Sequence, residues 1–197
     1  MATIKAPKTL EAAKELIWSK VEKTGDYRND ICLAAQFCVD IDIREVGRSN
    51  EDDEGWLRLM RIAGNYNVNT PGAWCIMFLS FCSYVAGKPL GERWQGFYST
   101  GMLKTWMEEK DIFIDRDDSE YLPQKGDLAV MDLNVNDVVD HGGLIVEVET
   151  DFDSEGVEYV TRVQCIEGNY SNATKKVWRK WKDKTIVGFG TPDEIEA

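Results

Sequence analysis

The chain has 197 residues, of which 43% are hydrophobic and 29% charged, and its formal net charge is −12. This length suits a single domain with a well-buried core, and the excess of acidic residues argues against nucleic acids and anionic membranes as partners. No apolar run approaches the ~18 residues that a membrane span requires. The N-terminal residues lack the hydrophobic stretch of a secretory signal, so we expect synthesis in the cytoplasm and, for any action outside the cell, another means of export.

The cysteines favour neither a disulfide framework nor a metal site. There are five, an odd number, and no two of them form a C-x-x-C pair, which indicates reduced thiols. Because the chain has a single histidine, zinc ligation lacks both the ligands and their usual spacing. We therefore expect no metal and no cofactor.

The first half of the chain has the apolar spacing of helices. Thr9 is a suitable N-cap for the first helix, which Gly25 ends, and Gly87 ends the fourth. The fourth helix carries only two polar residues, Ser80 and Ser83, so it is predicted to be central and buried. The predicted helices cover residues 9–24, 30–43, 49–64, 74–86 and 100–109.

After residue 110 the segments become short, rich in β-branched and aromatic residues, and separated by Gly, Asn and Asp, which is typical of antiparallel strands. Helices followed by strands predict an α+β fold in which N-terminal helices pack on one face of a C-terminal antiparallel sheet. The predicted strands cover residues 111–115, 126–132, 142–149, 157–168, 175–181 and 185–190.

Cys75 is the cysteine best placed for chemistry. A catalytic cysteine must be a thiolate, and a free thiol with a pKa of ~8.5 is mostly protonated at neutral pH. Cys75 lies at the start of the fourth helix, where the helix dipole favours an anion, whereas Cys82 lies two turns later. If the protein is a Cys–His enzyme, His141 is the base by elimination, because it is the single histidine. The alternatives are a buried structural thiol and a surface histidine at the start of a strand.

The segments that contain His141 and Cys165 flank the polar turn "TDFDSEG" and are expected to pair as an antiparallel hairpin. With the turn centred near residues 153–154, His141 lies opposite Cys165 or Glu167, and Asn169 shares their face of the sheet. Directly opposite side chains have Cβ atoms ~5 Å apart. Glu167 or Asn169 is therefore predicted to orient the imidazole.

The segment "KKVWRKWKDK", residues 175–184, is a local exception to the acidic charge, because it has six basic residues and one acid. A solvated strand or hairpin with outward lysines is the first interpretation. A contact surface for an anionic or carbohydrate-containing substrate is the second. Both interpretations keep these side chains at the surface.

Four motifs, in their order along the chain, resemble those of the CHAP family, the cysteine- and histidine-dependent amidohydrolases/peptidases. They are "AWCIMFLSF", "PQKGDLAVM", "DHGGLIVEV" and "IEGNYSN", and "VGFGTP" is similar to the closing strand of the family. The resemblance spans about residues 30–190. It implies a papain-like α+β catalytic domain over residues 30–197, preceded by a helical extension over residues 1–29 in one compact unit.

The resemblance also implies hydrolysis of an amide bond, most often in bacterial peptidoglycan. By this resemblance Cys75 is the nucleophile and His141 is the base, with Glu167 and Asn169 as candidates to orient the ring. Next to these motif residues, two aromatic side chains are candidate walls of the substrate cleft, with ordinary packing as the alternative for each. They are Trp74 and Tyr170.

One detail departs from the family pattern, and a second concerns the calcium site of some relatives. Ile76 and Met77 follow the cysteine where small residues are common, which predicts a narrower space beside the nucleophile. Some relatives bind calcium through an acidic loop, and residues 151–156 contain a D-x-D. Because Arg162 holds the position at which a calcium loop needs a bidentate glutamate, we expect a hairpin turn there.

The predicted function is a cysteine-dependent amidase or endopeptidase that acts on a stem peptide or muramoyl peptide of peptidoglycan. It would be a phage lysin or an antibacterial effector, made in the cytoplasm and active on the cell wall or in the periplasm after release or delivery, with a delivery or immunity protein as a possible partner. Two alternatives stay open: an amidohydrolase that acts on a non-wall amide, and a catalytically idle module used for binding or virion assembly. Selective reactivity of Cys75 towards a thiol reagent separates an enzyme from an idle module.

Overall fold

The computed structural model describes residues 4–46, 52, 54–92, 95–118 and 120–191. Within these residues, five α-helices come first and six β-strands follow. The helices are α1 (Leu10–Trp18), α2 (Tyr27–Asp40), α3 (Trp56–Ala63), α4 (Cys75–Ala86) and α5 (Thr100–Glu109). The strands are β1 (Phe113–Asp115), β2 (Leu128–Met131), β3 (His141–Phe152), β4 (Glu158–Tyr170), β5 (Ala173–Lys180) and β6 (Ile186–Gly190).

The strands form one sheet in the order β1-β6-β2-β3-β4-β5, in which all neighbours are antiparallel. The predicted α+β fold, with N-terminal helices packed on a C-terminal antiparallel sheet, is confirmed. The helix predicted over residues 100–109 matches α5. Of the cap-like and acidic residues predicted to start the third helix, 49–51 and 53 lie outside the described residues. No helix in the described ranges is both long enough and apolar enough to cross a membrane.

The sheet is packed on both faces. On one face, Leu128, Val130, Leu144 and Ile166 share a core with the helices, and α4 packs across β3 and β4. The other face carries a second, smaller apolar cluster, which is flanked by partly buried aromatic side chains. Its central members are Ala129, Met131, Ile145, Val163, Cys165 and Phe189, with Tyr121 and Trp181 against them. Both faces of the sheet therefore carry packed apolar side chains.

α4 is the central helix, and all of its residues except Tyr84 are buried. Its C-terminal end is closed by two backbone bonds, from the Lys88 N–H to the Ser83 carbonyl and from the Gly87 N–H to the Tyr84 carbonyl. This arrangement needs a left-handed residue after the helix, and Gly87 has a φ of 104°. The helix starts at Cys75, so the cysteine occupies its first position.

The N-terminal segment belongs to the same packed unit. Ala13 and Ile17 of α1 are fully buried in the helical core, and the Trp18 indole N–H donates to the Val85 carbonyl over 3.0 Å. α2 begins at Tyr27, so the boundary expected between residues 29 and 30 falls inside a helix.

The β4–β5 hairpin has a tight turn preceded by a bulge. Ser171 and Asn172 form the turn with φ values of 50° and 62°, and positive φ at both positions is what a type I′ turn requires. Asn169, with a φ of 60°, lies in the bulge between Glu167 and Tyr170. The bulge lies between the Glu167–Lys175 pair and the Tyr170–Ala173 pair that closes the turn.

The start of β5 is anchored to the end of α2. The Thr174 hydroxyl donates to the Cys38 carbonyl over 2.9 Å, and Ala173 forms an antiparallel bridge with Arg44. This contact also places Glu45 beside the start of α4. The hairpin is therefore held against the helical layer at its turn end.

The β3–β4 register differs from the prediction by an even number of residues. Leu144 pairs with Ile166, and a continuation of this ladder towards the strand start places His141 opposite Asn169. The turn occupies residues 153–157, slightly later than expected. Because an even shift keeps each side chain on its own face, the predicted facing of the site residues is unchanged.

Candidate active site

Cys75, the first residue of α4, is 4% exposed. Trp74 precedes it without making a side-chain cap bond, and the first backbone bond of the helix runs from the Phe78 N–H to the Trp74 carbonyl. The N–H groups of the first turn are therefore not capped by that side chain. Their partial positive charge lies next to the Cys75 thiol.

His141, the first residue of β3, connects this thiol to a carboxylate. Its Nε2 lies 2.9 Å from Oε2 of Glu167, which is fully buried in β4. Cys75 interacts with the same ring, and this interaction raises the pKa of His141. Since Nε2 faces the carboxylate, Nδ1 is the ring nitrogen left for the thiol. The structure thus brings Cys75, His141 and Glu167 together in one row, in which a hydrogen bond joins the ring to the carboxylate.

The two partners of His141 decide its charge. Burial of the ring lowers the pKa of His141, because the charged form loses hydration. The interactions with Cys75 and Glu167, together with their negative charges, outweigh burial and raise the pKa of His141 from 6.5 to about 9. The ring is therefore protonated at neutral pH, and a protonated imidazole beside a thiol stabilises the thiolate.

Two glycines after His141 let neighbouring side chains approach the strand closely. A Cβ atom on Gly143 would lie 2.9 Å from Cγ of Glu167, so the missing side chain gives Glu167 its path across β3. A Cβ atom on Gly142 would lie 2.6 Å from Cδ1 of Ile76, so α4 packs closely on β3 at this point. The side chain of Ile76 is buried against β3. Its bulk is therefore taken up by the packing between α4 and β3, whereas the sequence predicted that it would narrow the space beside the nucleophile.

Arg179 of β5 extends the row by one residue, and the sequence analysis did not single it out. Its Nε donates to Oε1 of Glu167 over 2.8 Å, and its Nη2 donates to Oε2 over 2.6 Å. The Arg179 side chain is 14% exposed, and that of Glu167 is 0% exposed. A bidentate pair of this kind fixes the plane of the carboxylate as well as its position. Burial lowers the pKa of Arg179, but the bond to Glu167 raises it further, so the guanidinium stays charged.

The other candidate orienter, Asn169, lies in the β4 bulge and is partly buried. Among the described residues it makes no side-chain hydrogen bond to the ring, whose carboxylate partner is Glu167. The arrangement therefore favours Glu167 over Asn169 as the orienting residue.

The two candidate cleft walls have different surroundings. Trp74 is 1% exposed, and its indole N–H donates to Oε1 of Glu45 over 2.6 Å, which favours the packing interpretation. Tyr170 is half-buried at the end of β4. Arg179 lies 5.3 Å and Lys175 5.9 Å from the centre of its ring, so Tyr170 borders the site between two cations.

The remaining four cysteines are buried. Burial raises the pKa of Cys32 to about 11. Burial also raises the pKa of Cys165, and burial together with the interaction with Cys38 raises the pKa of Cys82. Thiols with raised pKa values carry little thiolate at neutral pH and react slowly.

Within the described part of the chain, no group of three or more His, Cys, Asp or Glu side chains is arranged to hold a metal ion. The acidic segment 151–156 forms the expected hairpin turn. Oδ1 of Asp153 accepts hydrogen bonds from the N–H groups of Glu155 and Val157, over 2.8 and 2.9 Å. This carboxylate oxygen therefore serves to close the turn.

No protein-family model, no curated protein and no solved structure matches this chain. The resemblance to the CHAP family accordingly rests on the ordered motifs. The function has to be argued from the chemistry of the site.

Proposed function

We propose that the protein is a cysteine-dependent hydrolase of amide bonds, with Cys75 as nucleophile, His141 as general acid and base, and Glu167 as the orienting residue. The observation that carries this proposal is the row from Cys75 through His141 to Glu167, in which the ring is hydrogen-bonded to the carboxylate and interacts with the thiol, built on the single histidine of the chain. A nucleophile, a base and an orienting group in mutual contact are the arrangement that covalent acyl transfer requires.

The reaction proceeds in two halves. The Cys75 thiolate attacks the carbonyl carbon of the amide, and the backbone N–H of Cys75 at the start of α4 donates to the oxygen that becomes negative. His141 gives its proton to the leaving amine, and a thioester remains on Cys75. His141 then takes a proton from water, which attacks the thioester, releases the carboxylic acid and frees the thiolate. Glu167 keeps the ring aligned in both halves.

We infer peptidoglycan as the substrate from the resemblance of the four motifs to the CHAP family. The bond is then the muramoyl–alanine amide or an amide within the stem or cross-bridge peptide. In this proposal the protein is made in the cytoplasm and reaches the wall by release or by delivery through a partner protein. Both routes are consistent with an acidic chain, which as a whole repels anionic polymers.

The direct test is digestion of purified peptidoglycan, with identification of the released fragments by mass spectrometry. We expect new amine and carboxyl ends at one type of amide bond with the wild-type protein and none with Cys75→Ala. Fragment release by Cys75→Ala at the wild-type rate would contradict the assignment of the nucleophile. Absence of release by the wild-type protein would contradict peptidoglycan as the substrate.

Labelling with a limiting amount of iodoacetamide at pH 7 separates the proposal from its two alternatives. An enzyme is expected to be modified at Cys75 well before the four other cysteines, because its thiol interacts with a protonated imidazole. A catalytically idle module would show no such preference. Selective labelling of Cys75 in a protein that leaves peptidoglycan intact would favour an amidohydrolase with a non-wall substrate.

A further inference from the structure

One cation of the site has no assigned role. Lys175 lies directly opposite Glu167 in the β4–β5 ladder, where Cβ atoms are ~5 Å apart. It is therefore the nearest strand partner for that carboxylate. Glu167, however, is already bonded to Arg179 through both oxygens and to His141. Among the described residues Lys175 forms no ion pair with a carboxylate, and its side chain is exposed.

Tyr170 provides an apolar surface beside this cation. The Lys175 ammonium lies 5.9 Å from the centre of the half-buried Tyr170 ring, and the Arg179 guanidinium lies 5.3 Å from the same centre. An ammonium near an aromatic face is weakly attracted to it and gains some positional order. The result is a positive charge with an aromatic neighbour at the edge of the candidate active site.

The charge of the rest of the molecule makes this position distinctive. The chain has a formal net charge of −12, whereas residues 175–184 contain six basic residues and one acid. A negatively charged ligand is repelled by the molecule as a whole and attracted to this strand. The local field therefore favours an anionic group at the start of β5, where Lys175 lies opposite Glu167.

We infer that Lys175, beside Tyr170, binds a carboxylate of the substrate one or two residues from the scissile amide. This inference rests on the proposed function and specifies its substrate as an acidic peptide. Lys175 is the strand partner of Glu167, and Glu167 is bonded to His141, so the cation lies beside the row that contains the nucleophile. In a peptidoglycan stem, a second residue with a free α-carboxylate has the required charge.

The test measures binding rather than turnover, with Cys75→Ala protein so that the ligands stay intact. Two ligands are compared: the γ-methylamide of N-acetylmuramoyl-L-alanyl-D-isoglutamic acid, which has a free α-carboxylate, and the matching isoglutamine compound, which has an α-carboxamide. A charge-assisted hydrogen bond to the ammonium is expected to make the carboxylate ligand bind about tenfold more tightly, as measured by calorimetry. Adding Lys175→Ala is expected to abolish this preference.

Lys176→Ala in the same background is the matched control, because neighbouring strand residues point to opposite faces of the sheet. It is expected to keep the preference for the carboxylate. Equal affinity for the two ligands, a preference that survives Lys175→Ala, or binding of neither ligand would overturn the inference. Peptidoglycan hydrolysis without a preference for the carboxylate ligand would contradict this inference and support the proposed function. A preference for the carboxylate ligand without hydrolysis would support the binding site and contradict the proposed function.

Discussion

Cys75 and Cys82 lie in the same helix, about two turns apart, and their surroundings give them different properties. Cys75 is at the first position of α4 and contacts the protonated ring of His141. Cys82 is fully buried, and burial and Cys38 raise its pKa. A single helix thus contains a thiol suited to chemistry and one suited to packing.

Substitution of these two cysteines is expected to separate activity from stability. Cys75→Ala should abolish hydrolysis while the protein stays folded. Cys82→Ala should keep wild-type turnover and lower the free energy of unfolding by about 1 kcal/mol, because it leaves a small cavity. Turnover assays and thermal unfolding followed by circular dichroism measure the two effects. The opposite pattern would identify Cys82, not Cys75, as the functional thiol.

At the scale of elements, the β4–β5 hairpin carries both Glu167 and the arginine that holds it. The same sheet contains a second bidentate pair, Arg162 with Glu149, at distances of 2.6 and 2.7 Å. That pair is 44% and 39% exposed, whereas the Arg179–Glu167 pair is 14% and 0% exposed. The two pairs therefore have the same geometry and differ in burial and in their relation to His141.

Arg179→Lys is expected to lower kcat about tenfold with little change in KM, because a lysine keeps the charge but cannot hold both carboxylate oxygens, and ring orientation suffers. Arg162→Lys is the matched control and should change neither kinetic constant, since exposed ion pairs contribute ~0–1 kcal/mol. Steady-state kinetics on one peptide substrate compares the variants. An unchanged kcat in Arg179→Lys would show that the arginine does not position the ring through Glu167.

The hairpins also show where sequence patterns stop being sufficient. The facing of His141 and Glu167 was predictable because strand side chains alternate and the error in register was even. The register itself was not predictable, since the two bulges between β3 and β4 and the length of the turn at residues 153–157 produce no periodic pattern in the sequence. Arg179 was missed because it pairs with Val163 and reaches Glu167 along the strand, so no spacing rule connects them.

At the scale of the whole molecule, the order of helices and strands was predictable because hydrophobic periods of about 3.6 and 2 residues differ clearly. The position of α1 was not, since an amphipathic helix does not indicate which neighbour its apolar stripe contacts. Ala13 and Ile17 proved to share the core of α4. The second apolar cluster, on the sheet face away from the helices, likewise depends on loop side chains such as Tyr121.

One histidine in the chain makes the pH response of the molecule simple to follow. With a His141 pKa of about 9, hydrolysis is expected to fall as pH rises through about 9, because the leaving amine loses its proton donor. In NMR the single ring should titrate near pH 9 in the wild type and lower, towards 6.5, in Cys75→Ala. An identical titration in both proteins would mean that the thiol and the ring do not interact.

The same pKa also predicts how stability depends on pH. Because the pKa of His141 is higher in the folded state than in the unfolded state, its contribution is complete below about pH 6.5 and is lost as pH rises through about 9. The contribution corresponds to about 3 kcal/mol. His141→Gln, which has no titrating ring, is the control, and urea unfolding at pH 6 and pH 10 measures the difference. Equal pH dependence in the two proteins would contradict the raised pKa.

The arrangement of the row along the chain has a consequence for biosynthesis. The helix with Cys75 leaves the ribosome well before β3, β4 and β5, which supply the imidazole, the carboxylate and the guanidinium. A nascent or truncated chain therefore carries an ordinary thiol that has no base beside it. In the proposed enzyme, the ability to cut a bond arises only when the two layers have docked, and the cell that makes the protein is exposed to no partly folded hydrolase.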